Sequence, residues 1–189
     1  NGWKVADLRF GSVAVNISAL EFRNHRLIDT LTRAMADSGV RPHELEIELT
    51  ESVLMTDTDT TRLIVERLHA LGLPLAVDDF GTGYSSLAYL KHLRPSKIKI
   101  DRSFVRDLPG DEDDRVLVKA IVQLATALGI RVVAEGVETI PQREFLKGIG
   151  CGLLQGYQIG RPMPAEAFEQ SALGMSQPAV NQRPTALSA

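Results

Sequence analysis

Six times along this chain a short apolar run ends in polar residues and is followed by a segment of helical periodicity. The runs are residues 12–18, 44–52, 73–79, 97–105, 130–139 and 152–155. Strands that alternate with helices predict a parallel sheet covered by helices, because each crossover must carry the chain back to the sheet's starting edge. Two architectures satisfy that repeat: an α/β barrel and an open, doubly wound sheet. No GxGxxG follows any of the runs, so the dinucleotide-binding form of the second has no support.

The individual runs carry their own signals. In 12–18, Val13 and Val15 alternate with smaller neighbours before Asn16, and a helix is expected over 19–38, stopped by Gly39. In 44–52, Leu45, Ile47 and Leu49 face one way and Glu46 and Glu48 the other, as on an exposed edge or on a strand whose polar side points into a site. The capping run Thr56-Asp57-Thr58-Asp59 introduces a helix in which Ile64, Leu68 and Leu71 recur until Gly72. After the strand at 73–79, a loop at 80–84 leads into a helix that reaches Leu93. The run 97–105 reads as a strand with Ile98 and Ile100 opposite Lys97, Lys99 and Asp101. The acidic run 110–114 suits the positive end of a helix whose stripe is Val118, Ile121, Val122, Ala125 and Leu128. Pro141 opens a helix to Lys147, and the last helix is expected over 165–173. From Gly174 the chain is rich in Ser, Pro, Ala and Gln without periodicity, so the domain is read as 1–173 and 174–189 as a disordered tail.

Composition removes several classes of function. A net charge of −3 offers no basic field for a DNA or RNA polymer. The one cysteine, Cys151, cannot form an internal disulfide and reads as a small buried residue, and His25, His43, His69 and His92 share no metal-ligand spacing. No apolar run approaches membrane-spanning length. The chain starts Asn-Gly-Trp-Lys, without an initiator Met, and is expected to be a piece of a longer protein.

Asn16, Glu48, Asp78 with Asp79, Lys99 with Asp101, Glu135 and Gln155 all fall at or near the C-terminal ends of their strands. In a β/α barrel that rim is where active sites are built. There Asn16, Glu48, Asp78, Asp79 and Glu135 would form one cluster of four carboxylates and an amide. Like-charge repulsion makes such a cluster unstable unless cations that prefer oxygen ligands occupy it.

The motifs VNISALEF, ELTES, VDDFGTGYSSL, KIKID, VVAEGVET and QGYQIGRPMP resemble, in order, those of the EAL-domain family, bacterial phosphodiesterases that hydrolyse cyclic di-GMP. The resemblance covers nearly all of 13–164 and implies a (β/α)8 TIM-like barrel, truncated here at the N-terminus to about six βα units. It further implies two Mg²⁺ or Mn²⁺ ions, with Asn16 and Glu48 on one, Asp78 bridging, and Asp79 and Glu135 serving the other. Lys99 and Glu135 are the catalytic residues it implies, Lys99 contacting the attacking water, and Asp101, Glu138 and Gln155 are expected around the substrate. Glu51 is similar to the family's loop-anchoring Glu, which holds Gly81, Thr82 and Gly83 in shape and couples them to dimerisation. The implied product is linear pGpG.

The Glu-Ala-Leu motif that names the family is absent, and with it one ligand of the first metal and an Arg that meets the substrate phosphate. Two of eight strands are missing as well, which would leave unpaired edges at 12–18 and 152–157. The expectation is a competent parent enzyme and an inactive isolated piece. The parent is expected to be a cytoplasmic homodimer, whether or not tethered to a membrane, with upstream sensory or GGDEF domains. The rival is a non-catalytic module of degenerate type that senses cyclic di-GMP or binds a partner protein.

Overall fold

Alternation of strand and helix is realised as a six-stranded sheet in the computed structural model, which describes residues 11–54, 59–83, 90 and 93–176. The chain divides into two compact units, Gly11–Arg161 and Asn1–Phe10 with Pro162–Ala189. In the first, the strands are β1 (Val13–Asn16), β2 (Leu45–Thr50), β3 (Leu75–Phe80), β4 (Lys97–Ile100), β5 (Arg131–Ala134) and β6 (Leu153–Leu154). Each pairs in parallel with the next in sequence, so the order is β1-β2-β3-β4-β5-β6. A doubly wound sheet reverses its strand order at a switch point, whereas this order never reverses. The fold is therefore the barrel type, with six parallel strands of a TIM-like sheet.

Alternation along the strands separates two layers. Ile47, Leu49, Val77, Ile98, Ile100, Val132 and Ala134 are buried in one hydrophobic core with residues of the covering helices. Those helices bring Leu27 and Leu31 (from Leu27–Ser38), Ile64 and Leu68 (from Asp59–Ala70), Val118 and Ile121 (from Glu112–Ala127) and Leu146 (from Ile140–Gly148). Each fully buried side chain of this size stabilises the fold by about 2 kcal/mol. The opposite layer is polar: Glu46 and Glu48 of β2 lie across from Lys97 and Lys99 of β4. The acids that alternate along β2 thus belong to the buried polar face, and Glu46 is only 1% exposed.

Several predicted boundaries shift for local reasons. The helix expected over 19–38 is two helices, Ala19–Phe22 and Leu27–Ser38. Ser18 and Glu21 close a capping box on the first, and the Asn24 side chain accepts from the Arg26 N–H in the break. The strand expected over 97–105 stops at Ile100, because the Asp101 carboxylate caps a short helix, Arg102–Val105. β2 likewise ends at Thr50, where Glu51–Leu54 turns helical. The acidic run does cap its helix, with Asp111 accepting from the Asp114 N–H at 2.9 Å. In the second unit the helix Ala165–Ser176 continues past Gly174, crossing the predicted domain boundary. The rest of the predicted tail, the capping run before Asp59 and most of the helix expected before Leu93 lie outside the described residues.

Candidate metal and active site

The site begins with an irregularity in β3. In a regular strand, adjacent residues 78 and 79 would point to opposite faces. Pairing with β4 runs Ala76↔Lys97 and Val77↔Ile98, then resumes at Phe80↔Ile100, so β3 carries one residue more than its partner. That is a β-bulge, and it re-aims a side chain. Within it Asp79 adopts φ of 52°, in the left-handed region that non-glycine residues seldom occupy. The Thr82 hydroxyl donates to the Asp79 carbonyl at 2.9 Å, and the Asp79 N–H donates to Asp78 Oδ1 at 3.0 Å, which hold the turn. Carboxylate oxygens of Asp78, Asp79 and Glu135 consequently lie within 4.8 Å of one another.

Lys99 is the hub of the cluster. Its Nζ reaches Glu48 Oε2 at 2.9 Å, Asp78 Oδ1 at 2.9 Å and Glu135 Oε1 at 2.8 Å. Burial disfavours the charge, yet bonds to Glu135, Glu48 and Asp78 outweigh it and hold the ammonium well above the usual lysine range. Burial pushes Glu135 up, Lys99 offsets this only in part, and the nearby Asp78 and Glu48 charges add to the rise. Asp79 is raised by burial and then by the Asp78 and Asp101 charges. Asp101 moves the other way: against the effect of burial, the Ser103 hydroxyl and N–H hold it ionised. Of the neighbouring pair Asp79 and Asp101, Asp79 is therefore the more readily protonated.

One rung below, Lys97 Nζ pairs with Glu46 Oε1 at 2.5 Å, and an Arg131 nitrogen lies 3.9 Å from Glu46 Oε2. At the loop, the Gly81 N–H donates to Glu51 Oε2 at 2.8 Å. A Cβ at Gly83 would stand 2.7 Å from Glu51 Oε1. Gly83→Ala is thus expected to force the Glu51 carboxylate off the loop and to destabilise the protein by roughly 1–3 kcal/mol, read in urea unfolding. An unchanged urea midpoint would show that the loop yields without cost.

Among the predicted site residues, Glu48, Asp78, Asp79, Lys99 and Glu135 are brought together, with Asp101 beside Asp79. Asn16 ends β1 opposite Glu48, but it is exposed, and among the described residues its side chain makes no hydrogen bond. Glu138 and Gln155 are exposed on the loops beyond β5 and β6. The loops themselves are fixed: the Glu138 N–H donates to the Gln142 side chain at 2.8 Å, and Gln155 accepts from the Val137 N–H at 3.0 Å. The sequence reading missed the bulge, the Glu46–Lys97 rung and Gln142. Only the last had a signal, since Thr139-x-x-Gln142 is a capping box.

The donor set suits Mg²⁺ or Mn²⁺. These ions prefer oxygen ligands, and the hub's one ammonium faces Glu48, Asp78, Asp79 and Glu135, leaving the group strongly negative when all are ionised.

A parallel sheet of unreversed order, with clustered carboxylates and a buried lysine at the C-terminal rim, defines a β/α-barrel protein with an acidic site. The chain belongs to the EAL domain family, whose model matches residues 3–162. It is 50% identical over 155 residues to the bifunctional diguanylate cyclase/cyclic di-GMP phosphodiesterase MucR of Pseudomonas aeruginosa, covering 82% of this chain and 23% of that protein. The chain therefore spans about a quarter of that relative's length. The crystal structure of the EAL domain of Mycobacterium smegmatis DcpA superposes with a TM-score of 0.86 at 34% identity, covering 94% of this chain and 80% of that one. A manganese/cyclic di-GMP complex of Klebsiella pneumoniae BlrP1 gives a TM-score of 0.72 at 35% identity, over 77% of this chain and 38% of that one.

Proposed function

We propose that this chain forms part of a divalent-metal-dependent phosphodiesterase that opens cyclic di-GMP to linear pGpG. The observation that carries this reading is Lys99, buried and bonded to Glu48, Asp78 and Glu135 beside the Asp78, Asp79 and Glu135 cluster. Homologues that act on or bind cyclic di-GMP support the substrate.

Asp78, Asp79, Glu135, Glu48 and Asn16 are the residues assigned to two Mg²⁺ or Mn²⁺ ions. Two such ions supply an acidified water and charge neutralisation for an in-line displacement at phosphorus. The reaction adds one water across one P–O bond: the oxygen joins phosphorus, and the departing sugar oxygen leaves with a proton. Lys99 acts from the floor of this arrangement: it exchanges one of its three carboxylate bonds for one to the incoming oxygen, which it orients, and its charge offsets the charge that grows on the phosphate. Glu135 is the second catalytic residue assigned here, accepting a proton from the incoming water. Asp101, Glu138 and Gln155 line the side on which the guanine nucleotides are held. Glu51 anchors the loop of Gly81 and Gly83 and links it to a homodimer interface. Cytoplasmic placement and companion sensory or GGDEF domains follow the same reading; no described helix is long and apolar enough to cross a membrane.

The test is Mn²⁺-dependent conversion of cyclic di-GMP to pGpG by the protein that carries this chain. Wild type is expected to turn over, and Asp78→Asn to fall by about 100-fold or more. Full activity in Asp78→Asn removes the metal assignment, and binding without turnover by wild type makes the protein a receptor instead.

A further inference from the structure

We infer that Gln142 is a positioning residue that locks the loop after β5 to the loop after β4 on the substrate side of the rim. The inference rests on the phosphodiesterase reading above. Gln142 is 4% exposed, and its side-chain amide is committed entirely to backbone. Oε1 accepts from the N–H groups of Glu138 at 2.8 Å and Thr139 at 2.9 Å. Nε2 donates to the carbonyls of Val105 at 3.1 Å and Arg106 at 2.9 Å. An amide offers two donors and two acceptor positions, so these four bonds exhaust it.

An ordinary capping box reaches only the N-cap N–H. This one reaches Glu138 as well, and its other end crosses to a different helix, Arg102–Val105, whose N-cap is Asp101. A single buried amide thus ties the turn bearing Glu138 to the helix whose cap is Asp101, two residues assigned to the substrate. The two segments have no slack between them. Glu135 N–H donates to the Ile100 carbonyl at 3.1 Å, and a Cβ at Gly136 would stand 2.6 Å from Arg102 Cβ. Of the metal-side residues, Glu48, Asp78 and Asp79 lie on strands, and Glu135, one residue past β5, is held by its own N–H bond to Ile100 and by Lys99. Loss of the amide bridge therefore displaces the substrate side and leaves the carboxylate cluster in place.

Gln142→Glu keeps an acceptor for Glu138 and Thr139 but sets a carboxylate against the Val105 and Arg106 carbonyls, while Gln142→Asn is one methylene too short to span both loops. Each is expected to raise KM for cyclic di-GMP roughly tenfold while kcat and the Mn²⁺ concentration for half-maximal rate stay within about twofold. Thr139→Ala is the control: it removes the cap hydroxyl but not the amide bridge, so melting temperature falls and KM holds. A KM that simply follows melting temperature across the three variants, or a lowered kcat at unchanged KM, overturns the role. Amide hydrogen exchange on the wild type is a readout that needs no variant: slow exchange at Glu138 and Thr139 supports the bridge, and fast exchange at both removes it. Should wild type bind cyclic di-GMP without turnover, the hydrolytic reading falls alone, and the same tenfold change in Kd for Gln142→Asn decides the role of Gln142. A wild type that neither binds nor hydrolyses cyclic di-GMP overturns both.

Discussion

Lys99→Met is expected to abolish most turnover, lowering kcat by about 100- to 1,000-fold, the range seen when one preorganised donor to a developing charge is removed. The same substitution strips the hydrogen-bonded cation from Glu48, Asp78 and Glu135 at once. Glu48 is 6% exposed, so water cannot replace the lost partner. Breaking a buried ion pair from one side costs about 3–5 kcal/mol, and chemical denaturation should register a loss of that order. Mn²⁺ is expected to raise the melting temperature of the variant more than that of wild type, because ions then supply the only positive charge in the cluster. A variant with wild-type stability and kcat would show that Lys99 is a bystander.

Gly156→Ala carries the second large effect, and it acts on the fold. Gly156 has φ of 152°, and a Cβ there would stand 2.3 Å from both the N and the O of Val137. Those atoms are backbone, and each is already engaged: Val137 N–H donates to Gln155 at 3.0 Å, and Gln158 N–H donates to Val137 at 2.9 Å. No side-chain rotation relieves the overlap, so both hydrogen bonds must open. The expected loss is about 3–4 kcal/mol, or roughly 10 °C in melting temperature for a unit of this size. A shift of only 1–2 °C would mean that the turn after β6 moves away freely and that Gln155 has no fixed address.

Strand order could be read from the sequence to the level of two alternatives, because alternating periodicity dictates a parallel sheet but says nothing about whether its order reverses. The ends of elements were less legible. Asp101 was readable as a polar residue on the Lys97–Lys99 face, yet its carboxylate competes for backbone N–H groups and ends the strand. Residues 23–26 interrupt an apparently continuous helix for the same kind of local reason. Within the site, the strand-end placement of Glu48, Asp78, Lys99 and Glu135 was legible because it depends only on where each run stops. That Asp78 and Asp79 would join one cluster was legible from the crowding of strand ends, but the bulge that brings both carboxylates together was not, since strict alternation sends neighbours to opposite faces. Glu46 remained ambiguous between edge and interior until Lys97 was found across from it, because a single strand carries no record of what lies opposite.

The bulge in β3 also sets how the site tolerates change. The aim of the Asp79 carboxylate is fixed by a backbone angle and by one surplus residue between Val77 and Phe80. Exchange of a side chain at 78 or 79 alters a ligand but leaves the address of its neighbour intact. Removal of one residue there restores an even ladder, with Val77 and Phe80 still in the core beside Ile98 and Ile100, and leaves a single carboxylate on the Lys99 face where the site has two. The pair is therefore robust to misspelling and fragile to miscounting, and among descendants of this sequence a functional site is tied to the length of this segment as firmly as to its letters.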